Sequence, residues 1–301
     1  MEKTGLPKII AVLGPTASGK SDLAVDIALR FNGEVISADS RQVYRGLDVA
    51  TGKITKEEMR GIPHHLLDVS DPAEQYTVSH FKRDAERAID DILARGKLPI
   101  LCGGTGLYVK AVVDNFVPPE IGPDEALRAE LSKKTTDELF SELQKLDPVR
   151  AENIDPKNPR RLVRAIEIAR SLGSVPKVSD RPKKYDTFQI AIFTEKDVLR
   201  DRIAKRVEKR FDLGMTEEAR NLHNAGLPYE RMNELGLEYK YLALFLKGEI
   251  TEEKMKEEIF FKDWQYAKRQ LTWLNADKRI HWFTLGQTSE IFKNITEFLR
   301  V

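Results

Sequence analysis

The residues best suited to chemistry lie near the N-terminus, in Gly14-Pro15-Thr16-Ala17-Ser18-Gly19-Lys20-Ser21. They follow the apolar run Ile9–Leu13 and open a segment with helical spacing, Leu23, Ala24, Ile27, Ala28 and Phe31. The pattern G-x-x-x-x-G-K-[ST] between a strand and a helix is a P-loop. Its backbone N–H groups and helix N-terminus cradle a di- or triphosphate, its lysine neutralises the anion, and its hydroxyl ligates Mg²⁺. The motif predicts that a polyphosphate binds and leaves open what is transferred. The next apolar run, Glu34–Ser40, ends in polar groups and contains Asp39. Strand, loop, helix and strand form a βαβ unit, so the sheet is parallel and sites lie at the strand C-termini. Asp39 therefore falls on the phosphate edge. There it is either a turn residue or an acid that organises Mg²⁺ or takes a proton.

A second glycine-rich strand end follows Leu98–Cys102, in Gly103-Gly104-Thr105-Gly106. Two such ends on one edge predict a ligand close to the backbone, with a tight turn needing positive φ as the alternative. A P-loop kinase would carry an apolar run ending in Asp; here that position reads Cys102-Gly103-Gly104-Thr105. His64-His65 lacks the spaced ligands of a zinc site, which predicts hydrogen-bonded structural or substrate-contacting histidines.

These residues need elements to hold them. Thr77 or Ser79 caps an amphipathic helix carrying Phe81, Ala85, Ile89 and Ile92. Pro118–Pro123 breaks the chain, and the helical segments Glu125–Lys133, Thr136–Leu146 and Pro159–Leu172 follow without clear strands. The last is strongly basic: Lys157, Arg160, Arg161, Arg164, Arg170, Lys177, Arg181, Lys183 and Lys184 face only Glu167 and Asp180. Arg160, Arg161 and Arg164 share roughly one helix face and Leu162, Ile166 and Ile168 the other. A nucleic-acid backbone is the natural partner of such a patch. Phe188–Phe193 returns to a strand, and an arginine-bearing helix (Arg200, Arg202, Arg206, Arg210) comes next, of the kind that covers a phosphate ligand. Glu217–Ala225, Asn233–Leu246 and Glu252–Leu274 read as helices, Ile280–Phe283 as an edge strand and Ile291–Leu299 as a closing helix. Lys268-Arg269-Gln270 among Trp264, Tyr266 and Trp273 fits RNA contacts and a core helix equally.

The expected fold is α/β: a P-loop NTPase-like core with a parallel sheet flanked by helices, over residues 1–116 and 187–301. A helical, basic insertion occupies 117–186. The 301 residues are 41% hydrophobic and 32% charged with net charge +1, a soluble globular composition whose near-neutrality averages over local patches. A single cysteine excludes a disulfide framework and fits a reducing compartment. With neither a signal peptide nor an apolar run near the roughly 18–20 residues of a membrane helix, the expected location is cytoplasmic.

Three function classes are compatible with the P-loop: a nucleotide or small-molecule kinase using ATP, a group transferase that grips a leaving diphosphate, and an NTP switch. No guanine-selective Asn-Lys-x-Asp run supports the switch. The missing acid and the basic insertion favour a polyphosphate-bearing donor and an RNA acceptor. The blocks Ser37–Gly46, Pro63-His64-His65-Leu66-Leu67-Asp68, Gly103–Tyr108, Asp147-Pro148, Arg160–Ala165 and Ala267–Trp273, beside Gly14–Ser21, occur in this order. Together they resemble the tRNA dimethylallyltransferase (isopentenyl-tRNA transferase) family over nearly the whole chain.

The resemblance implies transfer of a dimethylallyl group from dimethylallyl diphosphate to N6 of the adenosine 3′ of the anticodon, with Mg²⁺. It implies that Gly14, Pro15, Thr16, Ala17, Ser18, Gly19, Lys20, Ser21 and Arg206 hold the diphosphate, with Ser21 on the metal. Asp39 would be the general base, with Lys20 and Thr105 at the reaction centre. Asp39, Ser40, Arg41, Gln42 and Thr105, with Arg128, Arg160, Arg161, Leu162, Val163 and Arg164, would meet the tRNA. A monomeric, bacterial-type enzyme is expected, since the zinc-finger extension of some eukaryotic relatives is missing. Two stretches depart from the family pattern. Leu235-Gly236-Leu237-Glu238-Tyr239-Lys240 stands where relatives commonly read Ile-Gly-Tyr-Lys-Glu, and Phe261-Lys262-Asp263-Trp264-Gln265 replaces the usual Thr-Arg ahead of Tyr-Ala-Lys-Arg-Gln.

Overall fold

The computed structural model describes residues 5–117, 119, 121–176 and 182–300. Two compact units emerge: Met1–Asn115 with Pro182–Val301, and Phe116–Arg181. The insertion therefore ends before the expected residue 186, because Tyr185 already packs into the core of the first unit and Asp186 opens a strand. Pro118 and Glu120 of the predicted break, and Lys177, Asp180 and Arg181 of the basic run, lie outside the described residues.

The first unit is built on six strands: β1 (Lys8–Leu13), β2 (Gly33–Ser37), β3 (His64–His65), β4 (Leu98–Gly103), β5 (Asp186–Ile192) and β6 (Ile280–Phe283). They lie in the order β3-β2-β4-β1-β5-β6, every pair parallel. Strand alternation sends Ile9, Ala11 and Leu13 to one face and Ile10 and Val12 to the other. The first face packs against the helices Val78–Ala94 and Gly106–Val113, the second against Lys20–Phe31 and Thr288–Arg300. Ile9, Ile10, Val12 and Leu13 are fully buried. Each contributes about 1.5–3 kcal/mol by burial against roughly 1–2 kcal/mol of backbone entropy, so β1 is a rigid base for the loop that follows it. The register pairs Leu13 with Gly103 and Ser37 with Cys102, which brings the ends of β1, β2 and β4 to one edge.

Thr77 is the N-cap expected for the helix Val78–Ala94, in a capping box with His80. The adjacent histidines form the short edge strand β3, where His65 Nε2 meets Glu34 at 2.7 Å and His64 Nδ1 meets the Ile62 carbonyl at 2.9 Å. Glu34 is 1% exposed, and Arg95 first, then Lys97 and His65, hold its carboxyl well below the usual range. The segment Asn233–Leu246 is not one helix: it breaks at Gly236 into Tyr229–Leu235 and Leu237–Leu246.

The two departures from the family pattern meet in the core. Arg210, on the helix Lys196–Asp212, donates to Glu238 at 3.0 Å and to Asp263, and also to the Ala50 carbonyl. The three side chains are 6%, 15% and 9% exposed, so this is a buried ion triad. Glu218 caps the same region, its carboxylate accepting the N–H groups of Asp48, Val49 and Ala50 and the Tyr239 hydroxyl. Together they seat the chain segment that follows Asp39 against the C-terminal helices.

The second unit is helical: Glu125–Leu131, Thr136–Leu146, Pro148–Glu152 and Pro159–Leu172. Its core is Leu127, Leu131, Leu139, Leu143, Leu162, Ala165 and Ile166. The short third helix, absent from the sequence reading, starts at an Asp147 N-cap with Pro148 in the first turn.

Removing the cation of a buried triad leaves two carboxylates facing each other. Arg210→Met should destabilise the protein by about 3–5 kcal/mol at pH 8, measured by urea unfolding. Burial first and Asp263 second raise the Glu238 pKa, so the folded state keeps that proton to higher pH than the unfolded chain. The associated stability is full at acid pH and lost as pH rises through the folded-state value. Loss of Arg210 enlarges this effect, and the variant's deficit should shrink at pH 5.5.

Candidate active site

The loop leaving β1 turns sharply, with Ala17 at φ 61° and Gly19 at φ 88°, and Ser18 N–H donates to the Pro15 carbonyl at 3.3 Å. Alternating backbone hand of this kind turns successive N–H groups toward one point, as an anion nest does. The helix Lys20–Phe31 begins with no side-chain cap, leaving its first N–H groups for a ligand. Ser18 Oγ is buried and has no hydrogen-bond partner among the described residues. An uncapped helix N-terminus beside an orphaned hydroxyl suits a phosphate oxygen.

Two cations border the loop. Lys20 Nζ donates to the Pro15 carbonyl at 3.2 Å, and burial lowers its pKa. Arg206 donates to Thr16 Oγ1 and to the Gly52 carbonyl, each at 3.0 Å. Burial first and the Arg210 charge second lower the Arg206 pKa. Arg206 also lowers Lys20, while Cys102 and Asp39 oppose the shift at the lysine, and Asp263, Glu238 and Asp39 oppose it at the arginine. No group of three or more His, Cys, Asp or Glu could hold a metal among the described residues. The Ser21 hydroxyl, at the helix start, is the remaining oxygen donor of the motif. One hydroxyl fits Mg²⁺ that takes its other ligands from phosphate oxygens and water, and does not fit a protein-only cage.

Asp39 follows β2. Its Oδ1 accepts the N–H of Arg41 at 2.8 Å and of Gln42 at 3.3 Å, so the turn role and a chemical role coexist in one carboxylate. Oδ2 has no hydrogen bond among the described residues. Thr105 Oγ1 accepts the Ser40 N–H at 3.1 Å and Thr105 N–H donates to the Ala38 carbonyl, tying the ends of β2 and β4. Tyr266 shares a hydrogen bond with the Thr105 side chain, and burial pushes its pKa up to about 12. Arg41 and Gln42 are anchored through their side chains, to the carbonyls of Glu234 at 3.0 Å and Gly52 at 3.4 Å.

At the second glycine-rich strand end the space beside the two glycines' Cα atoms is taken by protein. A Cβ on Gly103 would lie 2.3 Å from the Ala38 carbonyl oxygen, and one on Gly104 2.1 Å from Gln270 Nε2. Protein atoms fill the space, and neither glycine has positive φ. Gln270, which the sequence left open between an RNA contact and a core helix, lies between the two loops. It is 4% exposed, accepts the Thr16 N–H at 2.8 Å and donates to the Gly104 carbonyl at 3.0 Å. A signal was available: Met255, Ile259, Asp263, Ala267, Gln270 and Leu274 form one buried stripe of the helix Glu252–Ala276, and its polar members stand out. Cys102 lies at the end of β4, its Sγ 3.7 Å from the Lys20 carbonyl, and burial pushes the thiol up to about 11.

In the second unit the six predicted tRNA residues divide. Arg160 and Arg161 are exposed and have no ion pair among the described residues. Arg128 and Arg164 are committed elsewhere, to the buried carboxylate of Glu167 at 2.7 and 3.2 Å. Leu162 is a core residue, fully buried, and Val163 packs against the same core. Arg170, counted in the basic run, pairs with Glu142 and Glu130 from neighbouring helices. The basic face is therefore narrower than the sequence spacing implied, because acids from distant positions fold onto it.

A family model described as IPP transferase matches residues 42–277. A tRNA dimethylallyltransferase of Halalkalibacterium halodurans is 41% identical, over 92% of this chain and 91% of its own length. One from Thermomicrobium roseum is 39% identical, over 93% and 87%. Among solved structures, the full-length tRNA isopentenylpyrophosphate transferase of Bacillus halodurans superposes with a TM-score of 0.75 at 39% identity, covering 97% of both chains. A eukaryotic dimethylallyltransferase acting on tRNA also reaches 0.75, at 28% identity over 92% of this chain and 74% of its own. With the parallel sheet, the P-loop and the Asp39–Thr105 strand ends in place, the chain belongs to the IPP transferase family.

Proposed function

We propose that this protein is a cytoplasmic, monomeric tRNA dimethylallyltransferase. It moves the dimethylallyl group of dimethylallyl diphosphate to N6 of the adenosine immediately 3′ of the anticodon. The observation that carries the reading is the pairing of a P-loop bordered by two half-buried cations with a strand-end carboxylate that keeps one oxygen free. The names of the relatives support the choice of reaction.

The chemistry follows from that pairing. The diphosphate occupies the nest of Gly14–Ser21, where N–H groups, Ser18 Oγ, Lys20 and Arg206 meet its oxygens. Partly desolvated cations hold an anion more strongly than fully solvated ones and need little reorganisation as charge develops on the leaving group. Ser21 would hold Mg²⁺, which would supply further neutralisation of that charge. The target adenine leaves its stack to enter the site, as bases modified on their edges do. Its N6 attacks the allylic carbon, the C–O bond breaks with its electrons going to diphosphate, and Asp39 Oδ2 takes the N6 proton. Thr105 and Tyr266 line the acceptor side. Arg160 and Arg161 serve the tRNA backbone from the second unit.

A kinase using ATP is the second reading. It needs an anionic metal ligand at the end of β4, where this chain places a thiol held neutral by burial. Incubation with Mg²⁺, tRNA and either dimethylallyl diphosphate or ATP decides between them. Prenylated adenosine and released diphosphate are expected. ATP consumption without prenylation would favour the kinase.

Two variants test the assignments. Asp39→Asn retains the turn acceptor and removes the base, so transfer should fall about 10²–10⁴-fold while tRNA affinity changes little. Full activity in that variant would refute the base. Charge reversal of Arg160 and Arg161 together should weaken tRNA binding and lower the slope of log K against log salt by about 1–2. Arg164 is unsuitable for this test, because its loss would strip Glu167 of a partner. An unchanged salt titration would exclude this helix face from the RNA contact.

A further inference from the structure

Gln270 joins the two loops between which the proposed transfer must take place. Its amide oxygen holds the P-loop through the Thr16 N–H, and its amide nitrogen holds the end of β4 through the Gly104 carbonyl. Both links extend further. Thr16 carries Arg206 on its hydroxyl, and the residue after Gly104, Thr105, holds the Ser40 N–H beside Asp39. A continuous chain of hydrogen bonds therefore runs from the diphosphate cation through Thr16, Gln270 and Gly104 to the strand-end turn that holds Asp39.

The linker is built for this. A buried carboxamide has one acceptor and two donors, and both its ends are used on backbone groups that no other side chain satisfies among the described residues. The fit is close: a Cβ at position 104 would lie 2.1 Å from Gln270 Nε2 and would displace the carboxamide. On the same helix Tyr266, one turn earlier, bonds Thr105, and Trp273, three residues later, packs where a Cβ on Gly106 would approach to 2.9 Å. One helix face thus grips successive positions of the Gly104–Gly106 segment, and Gln270 alone also reaches the P-loop.

We propose that Gln270 is a positioning residue that sets the separation between the diphosphate cradle and the acceptor side of the site. It acts through Thr16 and Gly104 and touches no reacting atom. The inference rests on the transferase reading. Displacement of a bound reactant by an ångström costs about 10²-fold in rate, so a side chain that holds two loops in register governs the chemical step more than either affinity.

The test compares Gln270→Leu, which removes both bonds, with Gln270→Glu, which keeps the acceptor for Thr16 and sets a carboxylate against the Gly104 carbonyl. Ile259→Val, a cavity on the same buried stripe well away from the loops, controls for general destabilisation. Three readouts are taken: single-turnover prenyl transfer, affinity for inorganic diphosphate and for tRNA, and hydrogen exchange of the Thr16 amide. In Gln270→Leu the single-turnover rate should fall roughly 10- to 100-fold, with both affinities within about threefold of the unsubstituted protein. Its Thr16 amide should exchange faster by about tenfold or more. In Gln270→Glu the amide should stay protected and the rate should still fall. Ile259→Val should keep rate and protection even with a lowered melting temperature. Unchanged transfer in both Gln270 variants, or an equal rate loss in Ile259→Val, overturns the proposal. Should Gln270→Leu fail to fold, Gln270→Glu decides alone. Absence of prenyl transfer by the unsubstituted protein would instead defeat the transferase reading, while the Thr16 exchange would still report on the bridge.

Discussion

Two half-buried cations beside one phosphate loop are the constraint that organises this structure. Lys20 and Arg206 are both destabilised by burial, and each feels a neighbouring positive charge. A fold that keeps such groups in place has to supply backbone carbonyls for their N–H donors without neutralising them. It does so with Pro15 for the lysine and Gly52 for the arginine, both carbonyls, both uncharged. The field that remains is available to an anionic ligand. This arrangement gives up some stability of the empty protein for a site that needs little rearrangement when charge arrives.

The surrounding core answers the same constraint one step out. Arg210 lies one helical turn from Arg206 and would add to the repulsion if it were free. Glu238 and Asp263 hold it, so the second arginine is neutralised while the first is left exposed to the ligand. These two acids stand in the stretches that depart from the family pattern. Both acids meet on one guanidinium, and without Arg210 either would be an unpaired buried charge. The changes concern packing around Arg210, next to Arg206.

Glycine-rich strand ends have two physical meanings, and this protein uses both. In the P-loop the backbone curls into a nest beside an uncapped helix start and the unpartnered Ser18 hydroxyl. At Gly103-Gly104 the same residue type admits the Ala38 carbonyl and the Gln270 carboxamide, so the glycines bring protein against protein. Sequence spacing cannot separate these cases, because the occupant comes from a helix more than 160 residues away along the chain.

The sequence by itself determined the βαβ order, the parallel sheet, the phosphate loop and the placement of Asp39 at its edge. Each of these follows from local spacing: strand alternation, a helix start, and the rule that strands of a parallel sheet end together. It also marked the departing stretches, without saying what joined them. Only the tertiary structure decided which polar groups are spoken for. Arg128 and Arg164 belong to Glu167, Arg210 to Glu238 and Asp263, and Gln270 to Thr16 and Gly104. The physical reason is that a charge or an amide is defined functionally by its partner, and partners brought together by packing leave no mark in the spacing of either residue.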